Sequence, residues 1–543
     1  MIAAQPETLV QLALSIPLLA ALLIPLFHKA PNLRETVTLV AASLLAAVVW
    51  SLYGPVMAGA RPELNGPEIV PGLTLSIKVE PLGMIYALVA STLWIVNSIY
   101  SIGYMRGNKE PRQTSFYVCF AIAIASAIAI AFAKNLITLF LAYEILTLST
   151  YPLVTHKATD EARKSGRTYL LLLVGTSMVL LLPAIIITAA VAGTADFTVG
   201  GILADRSDAG VITEKLAPVL MSGLLALYVF GIGKAAVMPV HFWLPAAMVA
   251  PTPVSALLHA VAVVKAGVFT ILKVIVYIFG IDTLVQTGAA WWLVWVSSFT
   301  IIVASLIALR QDNLKKRLAY STVSQLSYVV LGAAILTPIS VVGAAMHIAA
   351  HACAKITLFF AAGSIYTAAH KTEISELNGI GHKMPWTMTA FTIGALAMIG
   401  LPPTAGFLGK WFMLTGAMES AQWLPVTVIV VSTILNALYF LPIVHRAFFR
   451  TPNHVPLDID EPAAIPASVG AAAVDAKGRS ETLAGGHHDG DHHDGDHHNG
   501  DHHDHGEAPF PIVLALSMTA LMTLALFFYP EVPLGLANAM IGR

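Results

Sequence analysis

The chain has 543 residues, of which 57% are hydrophobic and only 11% are charged, and its formal net charge at pH 7 is −1. Its mean hydropathy of +0.76 is typical of membrane proteins, because about a quarter of the residues of a soluble protein are charged. The composition predicts an all-α polytopic membrane protein. Without a basic stripe or a glycine-rich phosphate loop, we expect no binding of nucleic acid or nucleotides.

Cysteine usage excludes two kinds of metal centre. Cys119 and Cys353 both lie in apolar runs, far apart in the chain. Two distant thiols cannot build an iron–sulfur or thiolate–zinc site within this chain alone. We expect both side chains to pack as small buried hydrophobic groups.

Apolar runs of about twenty residues predict transmembrane helices, and the chain has room for fourteen, numbered here as spans 1 to 14. The spans begin near residues 7, 34, 81, 113, 136, 167, 217, 253, 288, 318, 340, 386, 423 and 509.

The loops between the spans predict the orientation. Most of the 30 basic residues lie in the loops after spans 1, 3, 5, 9, 11 and 13, and basic loops stay in the cytoplasm. Both termini are therefore expected on the opposite side. The expected location is the lipid bilayer of a bacterial inner (plasma) membrane.

Residues 231–267 combine buried charge with helix breakers. They read GIGKAAVMPVHFWLPAAMVAPTPVSALLHAVAVVKAG and carry Lys234, His259 and Lys265. A cation at the bilayer centre costs roughly 2.5–3.5 kcal/mol, so each one needs a partner, a hydrated cavity or a function. The stretch also contains four prolines, each of which removes a backbone donor: Pro239, Pro245, Pro251 and Pro253. Broken membrane helices hold ions in transporters, which predicts an ion or proton path.

An internal repeat links these charges to the architecture. LAYEILTLSTY at 141–151 resembles LAYSTVSQLSY at 318–328, an offset of 177. An offset of 176 carries Gly233 and Lys234 onto Gly409 and Lys410, which lie in another span interrupted by proline and glycine. An odd number of spans per repeat reverses its direction across the membrane. The pattern predicts two inverted five-helix repeats, with broken helices at spans 7 and 12.

The predicted division of the chain follows from the repeats. It consists of peripheral spans 1–3 at 1–110, a first repeat of spans 4–8 at 111–282, a second repeat of spans 9–13 at 283–450, a cytoplasmic segment at 451–508, and span 14 with the C-terminus at 509–543.

Glu144 in span 5 is an acid in an apolar run, and its repeat equivalent is Ser321. A carboxylate facing Lys234 would hold the lysine charged, whereas a separated one would favour neutral lysine. The pair is therefore interpreted as a two-state device. A static buried ion pair that only orients two helices is the alternative.

Span 11 carries three titratable residues in a row. In MHIAAHACAKITLFF, His347, His351 and Lys355 are spaced four apart, which places them on one face of a helix. Histidines at this spacing can also bind zinc, but no catalytic glutamate is adjacent, and a proton relay is favoured over metal. His259 and Lys265 in span 8 are six apart, so a water molecule could bridge them.

Residues 451–508 are rich in Pro, Ala, Gly and Asp and end in HHDGDHHDGDHHNGDHHDH. Such a sequence is too polar to bury a core and predicts disorder. A solvated linker is favoured, and capture of transition metals or pH sensing by imidazoles is the alternative.

The span 7–8 stretch resembles the antiporter-like subunits shared by respiratory complex I, membrane-bound hydrogenases and Mrp-type multisubunit monovalent cation/proton antiporters. The stretches DNLKKRLAYSTVSQLSY, HIAAHACAKITLFFAAGSI and LPPTAGFLGKW extend the resemblance over about residues 80–450. The resemblance implies fourteen helices, a proton path along the bilayer midplane and no redox cofactor within this chain. The residues that match the family's path are Glu144, Lys234, His259, Lys265, His347, His351 and Lys355.

Span 12 separates branches of this family. One complex I member carries glutamate where this chain has Lys410, and GFLGKW with ALYFLPIVHRAFF resembles the D-type subunit of Mrp antiporters. Ala246 and Ala247 depart from that branch, because an acid is common after the preceding proline. The resemblance implies partner membrane subunits and transport of protons with Na⁺. A proton-pumping subunit of complex I or of a hydrogenase is the alternative within the family.

Two other classes compete with a transporter subunit, which is favoured over an enzyme. They are a membrane scaffold and a membrane enzyme that uses the histidines for metal chemistry. Lysines at related repeat positions, Lys234 and Lys410, speak against both, because a scaffold does not need them and cations repel a metal ion. The driving reaction depends on the partner subunits.

Overall fold

The computed structural model describes residues 5–70, 73–204, 218–451 and 506–542. Apolar helices dominate this part of the chain. The helices that correspond to spans 1 to 6 are Pro6–Leu23, Pro31–Met57, Pro81–Gly107, Gln113–Ala131, Leu136–Val154 and Asp160–Thr176, the last of which continues through a π-turn into Leu182–Ala192.

Spans 7 and 8 consist of short pieces. These pieces are Pro218–Gly231, Trp243–Ala246, Thr252–Ala256, Val263–Val274 and Ile281–Thr287. The remaining helices are Trp291–Arg310, Leu314–Ala334, Pro338–Ala369, Ile380–Lys383, Pro385–Ile399, Ala405–Glu419, Trp423–Phe449, Phe510–Phe528 and Glu531–Met540.

The polytopic helical fold is confirmed. Ten described helices are long and apolar enough to cross a membrane, or eleven if the pair Val263–Phe279 and Ile281–Thr287, bent by 76°, counts as one span. Spans 7 and 12 fall short of the required length because each is interrupted. The count of fourteen is consistent with these helices and stays a prediction, as do the boundaries of the two repeats.

Both predicted breaks are present. In span 7 the helix Pro218–Gly231 ends before a 3₁₀ turn, Gly233–Ala235. In span 12 the helix Pro385–Ile399 ends at Gly400, because the φ of +88° at this residue is incompatible with a right-handed helix. A new helix begins at Ala405. Span 8 has a further break that the sequence did not predict, a π-turn at Leu257–Val261.

Span 11, the helix Pro338–Ala369, is the centre of the protein. Its most apolar stretch is entirely buried, and it packs against both halves of span 12 and against spans 3, 10 and 14. Span 3, Pro81–Gly107, is also largely enclosed, although the sequence groups it with the peripheral helices. The face that carries His347, His351 and Lys355 therefore lies in the interior.

A β-hairpin near residue 70 is a described departure from an all-helical chain. The strands Glu63–Val70 and Leu73–Lys78 form an antiparallel hairpin, in which Leu64 pairs with Ile77. The alternating pattern of LTLSIK is typical of a strand, so this hairpin is a difference from the predicted all-helical fold. The His/Asp-rich segment predicted at 451–508 lies outside the described residues, apart from residue 451 and residues 506–508.

Candidate functional site

The broken span 7 presents Lys234 in a tightly held turn. The indole nitrogen of Trp243 donates to the carbonyl of Gly233 at 2.9 Å. Span 8 closes the other side through Gly267, where an added Cβ would lie 2.2 Å from the nitrogen of Ala235. The helix break that the prolines and glycines predict is thus fixed by direct backbone packing.

Lys234 is fully buried and reaches span 5. Its Nζ donates to the carbonyl of Tyr143 at 2.8 Å and to Oγ1 of Thr147 at 2.6 Å. The same Nζ lies 3.1 Å from the centre of the Tyr143 ring, a position in which a cation is attracted to an aromatic face. The hydroxyl of Tyr143 accepts from the backbone nitrogen of Lys234 at 3.1 Å.

Glu144 lies beside this contact without forming an ion pair within the described chain. Its Oε1 is buried and has no hydrogen-bond partner in the described residues. A buried carboxylate oxygen without a partner is costly. No ion pair within 4.0 Å joins Glu144 to Lys234 in the described part of the chain, and the interpretation of the two residues as a two-state device stays a prediction.

Span 8 contributes Lys265, whose Nζ is hydrogen-bonded to Nδ1 of His351 in span 11. Both residues are buried. His259 lies in the π-turn, and its side chain is outside the described part of the structure. The carbonyl of Ala262, at the end of this turn, accepts from the hydroxyl of Tyr86 at 2.8 Å. Because the backbone between His259 and Lys265 is not regular α-helix, the spacing expected from a helical period does not apply.

The histidines of span 11 stack on each other as the spacing of four predicts. The rings of His347 and His351 have their centres 6.1 Å apart. Nε2 of His347 lies 3.0 Å from Oε1 of Gln325. Because an amide oxygen only accepts, this Nε2 carries the hydrogen. Nδ1 of His347 is then an acceptor, and it has no partner among the described residues.

The broken span 12 holds Lys410 by its own backbone. Nζ of Lys410 donates to the carbonyls of Met398 at 2.8 Å and Ile399 at 3.0 Å, at the end of the first half-helix. It also lies 4.7 Å from the centre of the Tyr328 ring. Gly409 lets spans 11 and 12 approach, since an added Cβ would lie 3.1 Å from Nδ1 of His347.

Uncharged polar side chains connect this lysine to span 11. The carbonyl of Met398 also accepts from the amide of Gln325 at 3.2 Å and from the amide of Asn436 at 3.3 Å. Gln325 therefore joins His347 to the carbonyl that holds Lys410. Gln325 and Asn436 are not among the residues predicted from the sequence, although a carboxamide in an apolar span is a visible signal.

Lys355 lies on a branch of the same network. Its Nζ donates to Oγ of Ser321 at 2.9 Å. The hydroxyl of Tyr439 lies 3.1 Å from the same Oγ and is also hydrogen-bonded to Oδ1 of Asn436. Ser321, the repeat equivalent of Glu144, thus accepts a hydrogen bond from a lysine of another span. Lys355 is connected to Lys410 through Ser321, Tyr439, Asn436 and the carbonyl of Met398. The spacing in span 11 predicts Lys355 in line with His347 and His351 instead.

Lys273 is a buried lysine that, unlike Lys234, Lys265 and Lys410, has a carboxylate partner among the described residues. Lys273 of span 8 lies 3.3 Å from Oε2 of Glu80 and donates to the carbonyl of Ala133 at 2.7 Å. Its contacts lie near the hairpin, away from the histidines. This lysine has a counter-charge and is interpreted as structural, in contrast to Lys234, Lys265 and Lys410.

The arrangement brings together most of the predicted residues. Hydrogen bonds and ring contacts run from Lys265 through His351, His347 and Gln325 to Lys410. Among the described side chains, no direct hydrogen bond joins Lys234 to Lys265. Ionisable side chains placed in a row away from lipid are typical of proton relays in membrane transporters.

A family model described as NADH:quinone oxidoreductase/Mrp antiporter, TM, matches residues 133–436, more than half of the chain. These residues include every predicted site residue.

Curated relatives belong to several kinds of complex. The chain is 30% identical to NADH-quinone oxidoreductase subunit N of Desulforudis audaxviator, with 82% of this chain and 86% of the relative covered. It is 31% identical to hydrogenase-4 component B of Escherichia coli, with 62% and 50% covered. It is 29% identical to the A-type subunit of the Na(+)/H(+) antiporter of Alkalihalophilus pseudofirmus, with 75% and 51% covered. The chain spans about half the length of the last two relatives.

Two solved structures have the same fold. A chain of the Mrp complex from Dietzia sp. DQ12-45-1b superimposes with a TM-score of 0.79 at 20% identity, covering 99% of this chain and 97% of that one. A chain of an archaeal membrane-bound sulfane sulfur reductase superimposes with a TM-score of 0.76 at 19% identity, covering 98% and 97%. The chain belongs to the NADH:quinone oxidoreductase/Mrp antiporter transmembrane family.

Proposed function

We propose that the chain is the proton-translocating, antiporter-like subunit of a multisubunit monovalent cation/proton antiporter. The observation that carries the proposal is the connected row of buried bases, in which Lys265 contacts His351 and His347 is linked to Lys410 through Gln325 and Met398. Burying such a row in a membrane costs stability, and ionisable residues that are kept there at this cost commonly mark an ion or proton pathway.

Each group has a role in this proposal. Glu144 and Lys234 form the acid–base pair, because they lie close but separated at the first broken helix. A proton released there passes to Lys265 and His351, with the undescribed side chain of His259 as the expected link. From His351 it passes to His347, whose free Nδ1 accepts, and then to Lys410. A hop needs a donor and an acceptor about 3 Å apart, directly or through one water molecule.

Partner subunits follow from the relatives. The two solved neighbours are chains of multisubunit membrane complexes, which supports other membrane subunits as partners of this chain. The name of the Alkalihalophilus relative supports Na⁺ as the exchanged ion. Lys410 supports it as well, because one complex I member carries glutamate at this position. We propose a bacterial inner membrane, with the basic loops and the His-rich segment in the cytoplasm.

A second candidate has its own support. The Desulforudis relative, which the chain matches over most of both lengths, is part of an NADH-quinone oxidoreductase. In that setting the same row of bases would pump protons that a redox reaction drives, rather than exchange them for a cation.

Everted membrane vesicles that contain the complete complex test both candidates. After respiration acidifies the lumen, an antiporter releases protons when Na⁺ is added, which a pH-sensitive dye reports, and choline serves as the control cation. Release with Na⁺ and not with choline supports the first candidate. No release with any monovalent cation, together with proton uptake that requires a quinone and an electron donor, would overturn it in favour of the second.

A further inference from the structure

A cavity of 580 Å³ that is lined in part by basic and hydroxyl side chains lies apart from the row of bases. It is lined by the loop after span 5, the start of span 6, the break between spans 7 and 8, the start of span 10 and the end of span 11. Cavities that bind small molecules are about 300–1,000 Å³ in volume. The space is therefore large enough for a headgroup or a small solute.

The lining of the cavity is strongly basic. Four lysines from three separate segments contribute to it, and Glu161 is the acid among the lining residues. Basic residues therefore outnumber acidic ones in the lining by four to one. Hydroxyl groups, including those of Thr159, Ser165 and Thr372, add further donors. The four lysines are Lys157, Lys315, Lys316 and Lys371.

The four lysines have no carboxylate partner among the described residues. Within the described residues none of the four has an ion pair closer than 4.0 Å, whereas Lys134 contacts Glu63 and Asp196. Nζ of Lys315 donates to a carbonyl, that of Ala250, at 2.6 Å. The charge of the lining is thus not neutralised by direct pairing within the described chain.

Glu110 lies near the cavity without lining it and interacts with Lys157 and Lys315. Burial raises the pKa of the Glu110 carboxyl above its ordinary value, although the two lysines oppose this. Its Oε2 is 3.7 Å from Nε2 of His156. One half-buried acid offsets part of the positive charge and leaves a surplus.

The start of span 10 strengthens the positive potential. The helix Leu314–Ala334 begins in the lining, and Asn313 caps it by accepting from the backbone nitrogen of Lys316 at 3.1 Å. The amino end of a helix carries a partial positive charge. Lysine charges and this helix end therefore converge on one space.

We propose that this cavity binds a phosphate group, carried either by the headgroup of an anionic lipid or by a small solute. Lysines act as point charges for phosphate oxygens, and hydroxyl groups complete the hydrogen bonds. Basic pockets between transmembrane helices are sites for lipid headgroups. A phosphate held here would lie against Ala250 and Thr252 at the beginning of the broken span 8.

Full-length protein purified in detergent tests the site with two probes. One arm titrates inorganic phosphate by calorimetry at constant ionic strength. The other counts bound phosphatidylglycerol by native mass spectrometry, with phosphatidylcholine for comparison. The variant is Lys157→Gln with Lys371→Gln, since neither side chain donates a described hydrogen bond. The matched control, Lys29→Gln with Lys164→Gln, removes the same charge from exposed lysines outside the lining.

The double variant is expected to bind one of the probes about tenfold more weakly or worse, because two contacts to a charged group are lost, while the control binds like the wild type. Loss in the lipid arm assigns a headgroup, and loss in the phosphate arm assigns a solute. Equal binding by variant and wild type, or no saturable binding by the wild type in either arm, would overturn the proposal. If the double variant does not fold, Lys371→Gln alone decides in the same way.

Discussion

The two broken helices hold their lysines differently. Lys234 of span 7 donates to a carbonyl and a hydroxyl of span 5, over the ring of Tyr143 and next to Glu144. Lys410 of span 12 donates to two carbonyls of its own span. In the first repeat the contact depends on the distance between two spans, whereas in the second it is local.

Within the proposed proton path, the difference suggests distinct tasks for the two predicted repeats. A carboxylate and a lysine together can hold or release a proton as their separation changes, and only the first repeat has this pair in the predicted site. The second repeat replaces the acid by Ser321, and its lysines rest on carbonyls, hydroxyls and amides. We infer that the first repeat sets the charge state and that the second conducts.

The largest expected effect comes from the pair itself. Glu144→Ala or Lys234→Ala should lower cation/proton exchange about a hundredfold or more, because a positioned acid or base contributes at least that much, while the complex still assembles. Exchange is measured in everted vesicles, with subunit levels from immunoblots. Ile145→Ala, a change at an exposed neighbour, is the control. Exchange at the wild-type rate with normal subunit levels would refute the assignment.

Lys410 tests whether the second repeat only conducts. Lys410→Glu should damage exchange and leave residual activity, because a carboxylate can also carry a proton. Lys410→Ala should lose more, since the carbonyls of Met398 and Ile399 then have no ammonium donor. Rates of the two variants in the same vesicles give the comparison. A fully active Lys410→Ala would remove this residue from the path.

Tyr439 tests the side branch to Lys355. Tyr439→Phe removes the hydroxyl between Ser321 and Asn436 and should slow exchange by about two- to tenfold, the equivalent of one hydrogen bond. Tyr117→Phe is the matched control, because that hydroxyl is buried without a described partner. Equal rates for both variants would show that the branch does not take part.

The smallest effect is expected outside the repeats. Deletion of residues 485–506 should leave exchange unchanged, because the segment lies outside the predicted repeats and contains none of the predicted site residues. Exchange is measured in metal-free buffer and after addition of zinc. Loss of exchange in metal-free buffer, with the protein still in the membrane, would contradict a linker.

Local sequence patterns predicted the helices and the breaks well, since prolines, glycines and apolar runs act within a few residues. Pro239 and the spacing of His347 and His351 are of this kind. Contacts between spans were beyond such patterns. The approach of Lys355 to Ser321 depends on how spans 10, 11 and 13 pack. The π-turn at Leu257–Val261 is followed by Ala262, whose carbonyl accepts from the hydroxyl of Tyr86 in span 3, another contact between spans.

The contact at Gly267 has a mechanical consequence. Its backbone touches the turn at Lys234 and Ala235, with no side chain between them. Lys265 stands two residues earlier in the same helix. A rotation of the turn that brings Lys234 toward Glu144 would therefore displace the backbone of span 8 at Gly267. Lys265 would move together with Lys234, which couples the positions of the two lysines.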